Sequence, residues 1–126
     1  MPTVLDVLGI PSDEEVNHQI RGVSLVPLMR GEHKKLYAFS ETDYLLQFFK
    51  RSVRSPDGWK LIYSMDTEER ELYNIINDPS EQKNLISKEP AIAYDLEQRL
   101  FDWLKSLGQS KDYHNRLISD VTSSQW

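Results

Sequence analysis

The chain has 126 residues, a formal net charge of −5 and no cysteine. One domain is the prior at this length, with roughly two thirds of the unfolded chain's surface available for burial. The charge argues against an electrostatic nucleic-acid binder, and the missing cysteines exclude disulfides, thiolate metal sites and a cysteine nucleophile.

The predicted elements begin with a short helix, Pro2 to Leu8. Proline suits the first helical position, Val4, Leu5 and Leu8 share a face, and Gly9 followed by Pro11 is a stop signal. Residues 11–22 are polar and read as a surface loop. Leu25 to Met29 reads as a single helical turn, capped by Ser24 and closed by Gly31.

Strand signals follow. Leu36 to Ser40 is a short strand. Tyr44 to Phe49 suits either helix or strand, and a strand is expected over 47–55, where Phe49, Arg51 and Val53 alternate with Lys50, Ser52 and Arg54. Ser55-Pro56-Asp57-Gly58 is the strongest turn signal of the sequence. Trp59 to Ser64 then alternates again, which gives a β-hairpin over 47–64. Glu71 to Ile75 is the next strand, stopped by Asn77, Asp78 and Pro79.

Pro90 opens one long helix, with Ile92, Ala93, Leu96, Leu100, Trp103, Leu104 and Leu107 forming an apolar stripe and Gly108 the stop. From 109 to 126 the chain is a polar tail, with Tyr113, Leu117 and Ile118 as anchors. The predicted class is α+β: a small antiparallel sheet of about four strands with one long C-terminal helix packed on it, preceded by short helices.

Chemistry is sparse. His18, His33 and His114 sit apart in polar stretches without metal-ligand spacing. The five glycines are isolated, so no phosphate loop exists, and there is no G-x-S-x-G. Carboxylate runs at 13–15 and 66–71 read as solvated surface. No apolar run approaches the ~18 residues of a membrane span, and the first 20 residues hold no Lys or Arg of a signal peptide. One imbalance stands out. Lys50, Arg51, Arg54 and Lys60 face only Asp57 in charge. Two or three of these on one face would hold an anionic ligand, with Trp59 and Tyr63 as a sugar- or aryl-stacking surface; Arg51, Arg54, Trp59 and Lys60 are the candidate site residues. Against it stands a plain solvent-facing hairpin with core aromatics.

Five segments, in order, resemble the C-terminal part of the sulfatase family. Met1-Pro-Thr-Val-Leu-Asp-Val-Leu-Gly-Ile-Pro11 is similar to D-x-x-P-T-x-L-D-L-A-G-I, and Arg21-Gly-Val-Ser-Leu-Val-Pro-Leu-Met-Arg-Gly31 to G-x-S-L-x-P-L-L-x-G. Ala38-Phe-Ser-Glu41 resembles the family's x-x-S-E strand end. Arg51-Ser-Val-Arg-Ser55 with Trp59-Lys-Leu-Ile-Tyr63 resembles R-x-V-R-x-x-x-x-K-L-I. Residues 71–85, from Glu71-Leu-Tyr to Lys-Asn-Leu85, resemble E-L-Y-D-L-x-x-D-P-x-E-x-x-N-L.

The resemblance implies a sulfuric ester hydrolase whose formylglycine nucleophile comes from a C/S-x-P-x-R motif and whose metal is usually calcium. Neither can be carried over. Ser24-Leu-Val-Pro-Leu-Met-Arg30 has the wrong spacing, and Asp6 follows the P-T where the family's ligands precede it. The sequence looks like the last quarter of a sulfatase from a family whose members are often periplasmic, secreted or lysosomal. Residues 1–35 would then dock on a missing catalytic domain, and 36–108 would be the α+β subdomain. Arg51, Arg54, Trp59 and Lys60 would lie at the rim of a substrate pocket. The alternative is a free-standing interaction module, self-associating through exposed apolar surface at Pro2–Leu8 and Leu25–Met29. A small independent hydrolase built on the basic hairpin lacks a nucleophile–base pair. No nucleic acid and no membrane is expected as a partner.

Overall fold

In the computed structural model the described residues are 1–11, 13–44 and 48–109. The tail at 110–126, with His114 and the expected anchors Tyr113, Leu117 and Ile118, lies outside them. The chain divides into two compact units, Met1–Lys35 and Leu36–Trp126.

The first unit holds three short helices: α1 (Pro2–Leu8), α2 (Glu14–Gln19) and α3 (Val26–Met29). Proline starts α1, and Gly9 ends it in the left-handed region while the Ile10 N–H donates to the Leu5 carbonyl at 2.9 Å. Helices this short need support from neighbours. Here Ser24 Oγ donates to Asp6 Oδ2 at 2.5 Å, and the Leu25 N–H donates to Thr3 Oγ1 at 3.1 Å, tying α3 to α1. The loop expected at 11–22 contains α2 instead. It has no apolar period to reveal it, but Glu14 and Glu15 in its first turn and His18 in its last suit the helix dipole.

The second unit is a four-stranded antiparallel sheet in sequential order, β1 (Ala38–Tyr44), β2 (Phe48–Arg54), β3 (Trp59–Ser64) and β4 (Arg70–Asn74), followed by α4 (Pro90–Ser106). This is the expected α+β architecture. Consecutive strands pair because their connections are short, and each pair is antiparallel. At the β2–β3 turn the Gly58 N–H donates to the Ser55 carbonyl at 3.2 Å, and Ser55 Oγ accepts the Trp59 N–H at 3.1 Å. Gly58 has φ +82, which side chains rarely adopt, so its identity is set by the turn.

One sheet face is covered. Phe49, Val53, Leu61, Tyr63, Met65 and Leu72 form a single cluster with Ala93, Leu96, Leu100 and Leu104 of α4. The helix positions are spaced by 3 and 4, and the strand positions alternate, so both stripes arise from elementary periodicity. Phe39 stacks on Trp103 at 4.8 Å between ring centroids, extending the cluster to the β1 edge. Arg70 clamps the start of β4 to α4 through two bonds to Glu97, at 2.7 and 3.0 Å. Past the end of α4, Gly108 takes φ +75 and the Gln109 N–H returns to the Leu104 carbonyl. Among the described residues no helix is long and apolar enough to cross a membrane.

Candidate functional site

Strand alternation splits the four candidate side chains. Arg54 and Lys60 are direct cross-strand partners on the face away from α4, joined there by Lys50. Arg51 and Trp59 belong to the helix-covered face. Arg51 is 2 % exposed, among the largest fully buried side chains of the molecule, and Trp59 packs against the core cluster.

Arg51 is buried, with hydrogen-bond partners for both terminal nitrogens. Its Nη1 donates to Asp43 Oδ1 at 2.6 Å and to the Thr42 and Lys50 carbonyls at 3.3 and 3.1 Å. Nη2 donates to Asp43 Oδ2 at 3.3 Å, and Nε lies 3.5 Å from Glu41 Oε2. Glu41 stands opposite Arg51 in the β1–β2 register, with Asp43 two residues along the same face. This explains why β1 runs through the polar Glu41-Thr42-Asp43 and does not stop at Ser40 as expected from hydropathy. The planar guanidinium takes two carboxylates at once, a geometry a lysine could not match.

On the open face, Lys50 and Lys60 are each paired with a carboxylate. Lys60 Nζ donates to Glu81 at 2.8 and 3.1 Å, and Lys50 Nζ donates to Glu71 at 3.2 Å. Tyr73 donates its phenol proton to Glu71 Oε2 at 2.6 Å. That bond, more than the nearby Lys50, holds the Glu71 carboxyl below its ordinary range and pushes the Tyr73 phenol up to about 12. Ser40 and Ser52 share a hydroxyl hydrogen bond of 2.7 Å between β1 and β2. Two shallow depressions of about 190 and 210 Å³ flank these groups, and both are lined by Ser40, Ser52 and Lys60.

The remaining motif residues build the return from β4 to α4. Asn84 Oδ1 accepts the N–H groups of Leu72 and Ile86, both at 3.0 Å, and Asp78 Oδ2 accepts the Lys83 N–H at 2.8 Å. Glu81 adopts a left-handed φ of 53, a costly conformation for a side-chain-bearing residue, while paired with Lys60. The segment similar to K-L-I is thereby fastened to the segment similar to D-P-x-E.

Among the described residues no three His, Asp or Glu side chains converge on a point that could hold a cation. His18 and His33 are exposed. Together with the lack of a C/S-x-P-x-R motif, the described side chains do not fit calcium or formylglycine.

Comparisons with known proteins agree on one group. No family profile matches the chain. A Delta 4,5-hexuronate-2-O-sulfatase of Bacteroides thetaiotaomicron is 31% identical over 127 residues, which cover 96% of this chain and 25% of that protein. The solved structure of a 2-O GAG sulfatase superposes with a TM-score of 0.67 at 32% identity, covering 83% of this chain and 23% of the other. A protein solved in complex with its substrate D-glucosamine-2-N,6-O-disulfate has a TM-score of 0.61 at 26% identity, covering 82% and 22%. The chain therefore spans about a quarter of the length of the relatives it matches.

Proposed function

Because this chain is a sulfatase homologue over about a quarter of the family's length, as a C-terminal subdomain is, we propose that it serves as that subdomain of a sulfuric ester hydrolase. Its work is structural: it supports a catalytic domain and contributes side chains to the rim of the substrate pocket. The 126 residues by themselves hydrolyse no sulfate ester. The observation that carries this reading is the use of the family-like motif residues. Glu41 is placed against Arg51, Lys60 against Glu81, and Asn84 against the β4 backbone, so that each makes a fold contact. Calcium and formylglycine, implied for full-length relatives, would be held by the rest of the enzyme.

Arg54 is the rim cation of this reading, with Lys60 opposite it in the β2–β3 register and held by Glu81. Trp59 would border the same hairpin from its other side. Arg51 supports the rim by fixing β1 against β2. The test is turnover of 4-methylumbelliferyl sulfate by the purified chain, with calcium supplied. The expected rate equals that of buffer, and any enzyme-dependent rate above it overturns the proposal.

A second reading, an interaction module, draws on the first unit. Val7, Leu8 and Met29 are each more than 60 % exposed, at 65%, 64% and 70%. Apolar side chains gathered in 35 residues suit a docking surface for a catalytic domain or for a second copy. Sedimentation of the pure chain should show association that grows with concentration. A strict monomer throughout would remove self-association.

A further inference from the structure

The chain passes from its first compact unit to its second through residues 32–37, which belong to no helix or strand. The last hydrogen-bonded turn before this stretch closes at Glu32, whose N–H donates to the Pro27 carbonyl at 2.9 Å, and β1 begins at Ala38. Glu32, His33, Lys34 and Lys35 are exposed, and Leu36 and Tyr37 are half-buried. Tyr37 packs against the core cluster, and its ring centre lies 4.7 Å from the Arg99 guanidinium. Among the described residues, that cluster and the side chains packed on it draw on nothing before Tyr37.

An endopeptidase takes its substrate as an extended segment, and a basic-residue enzyme seats the cationic side chain in an acidic pocket just before the bond it cuts. A folded chain is cut where such a segment comes free at little cost. Lys50, Lys60 and Lys105 lie inside β2, β3 and α4. Lys83 and Lys88 lie in hydrogen-bonded turns: their N–H groups donate to Asp78 Oδ2 at 2.8 Å and to the Leu85 carbonyl at 2.9 Å. Lys34 and Lys35 lie in the irregular, exposed stretch. Tyr37 decides between these two. Cutting after Lys35 puts Leu36 and Tyr37 in the first two positions beyond the bond, which pulls the Tyr37 ring off the core and away from Arg99. Cutting after Lys34 puts the exposed Lys35 first and leaves Tyr37 one position farther out.

We propose that the Lys34–Lys35 peptide bond is a processing site for a lysine-directed serine endopeptidase. Hydrolysis adds one water across the amide, leaving a carboxylate on Lys34 and an amine on Lys35, with no change of oxidation state. This goes beyond the supporting role argued above and does not depend on it, because the cut requires no catalytic domain and no sulfate ester. The product that begins at Lys35 retains all four strands, α4 and the whole core cluster, so it stays folded after the cut.

The test is limited digestion of the purified full chain with a lysine-specific serine endopeptidase, with each bond followed by the masses of the pieces. The 34–35 bond should be lost at least about tenfold faster than the bonds after Lys50, Lys60, Lys83, Lys88 and Lys105, which open only with their strands, helix or turns. Lys34→Gln, at an exposed position, removes the ammonium that enters the enzyme's pocket and should slow all cutting within 32–37 at least about tenfold. The near-UV circular dichroism of the digest should hold at its starting value while the 34–35 bond disappears. Cleavage after any of the other five lysines at a comparable rate overturns the proposal. So does predominant cleavage after Lys35, an undiminished rate in Lys34→Gln, or a near-UV signal that falls in step with the 34–35 cut.

Discussion

Replacing Asp43 with Asn should destabilise the protein more than replacing Arg51 with Met, although both substitutions break the same ion pair. The reason is the asymmetry of burial. The Arg51 side chain is 2 % exposed, whereas those of Asp43 and Glu41 are 42% and 43% exposed. In Asp43→Asn the guanidinium stays buried with its charge. It keeps Glu41 at 3.5 Å, two backbone carbonyls and the new amide oxygen, so the cost falls below that of a fully orphaned buried charge, at about 2–3 kcal/mol. In Arg51→Met the two carboxylates left behind are already in water and need no partner. The methionine can pack on the face shared with Phe49, Val53 and Tyr63, so the cost is about 0–1 kcal/mol. The difference of ~2 kcal/mol is about thirtyfold in the unfolding equilibrium. Urea denaturation at neutral pH reads both values, provided the slope with denaturant is unchanged between variants. If Arg51→Met costs as much as Asp43→Asn or more, the burial argument fails.

Asn84→Ala should cost about 1–3 kcal/mol by denaturation, because it strips the acceptor from the Leu72 N–H at the sheet edge. Asn84→Asp, which keeps an acceptor oxygen, should recover most of that loss. Tyr73→Phe should raise the Glu71 carboxyl titration seen by NMR, since the phenol is the main group holding it down. A carboxylate with a lowered folded pKa contributes stability above its unfolded value, here near 4.5, and loses it as pH falls through the folded value. The variant should therefore trail the wild type at neutral pH by less than about 1 kcal/mol, Glu71 being a third exposed, and the gap attributable to Glu71 should close in acid. Leu100→Ala should cost about 2–5 kcal/mol in a thermal or urea melt, because Leu100 is fully buried between α4 and the sheet. A loss below 1 kcal/mol would show that this part of the interface collapses readily.

Much of the fold was legible locally. The stop at Gly9, the Ser55-Pro56-Asp57-Gly58 turn, β3 and α4 all follow from turn chemistry and from periods of 2 and 3.6, which need no knowledge of partners. Residues 14–19 escaped because a six-residue polar helix has no apolar stripe to read. The far half of β1 escaped for a related reason. Glu41 and Asp43 look solvated in sequence, and only the register with β2 sets them beside Arg51.

The candidate site divides along the same line. Composition and alternation already show that residues 50–60 hold an excess of positive charge, that they lie on a hairpin, and that Arg51 alternates with Lys50 and Arg54. Composition, however, grouped Arg51 with its basic neighbours, because a charged side chain reads as exposed until its counter-charges are located. It took the folded sheet to show that Arg51 is buried while paired with the exposed Asp43, that Lys60 faces Glu81 across 21 positions, and that Tyr37, Trp59 and Asp95 line one cavity. The physical reason is range. Periodicity and turn propensity act within a few residues and are written in consecutive letters, whereas ion pairing and cavity shape depend on which distant letters the sheet and helix bring together.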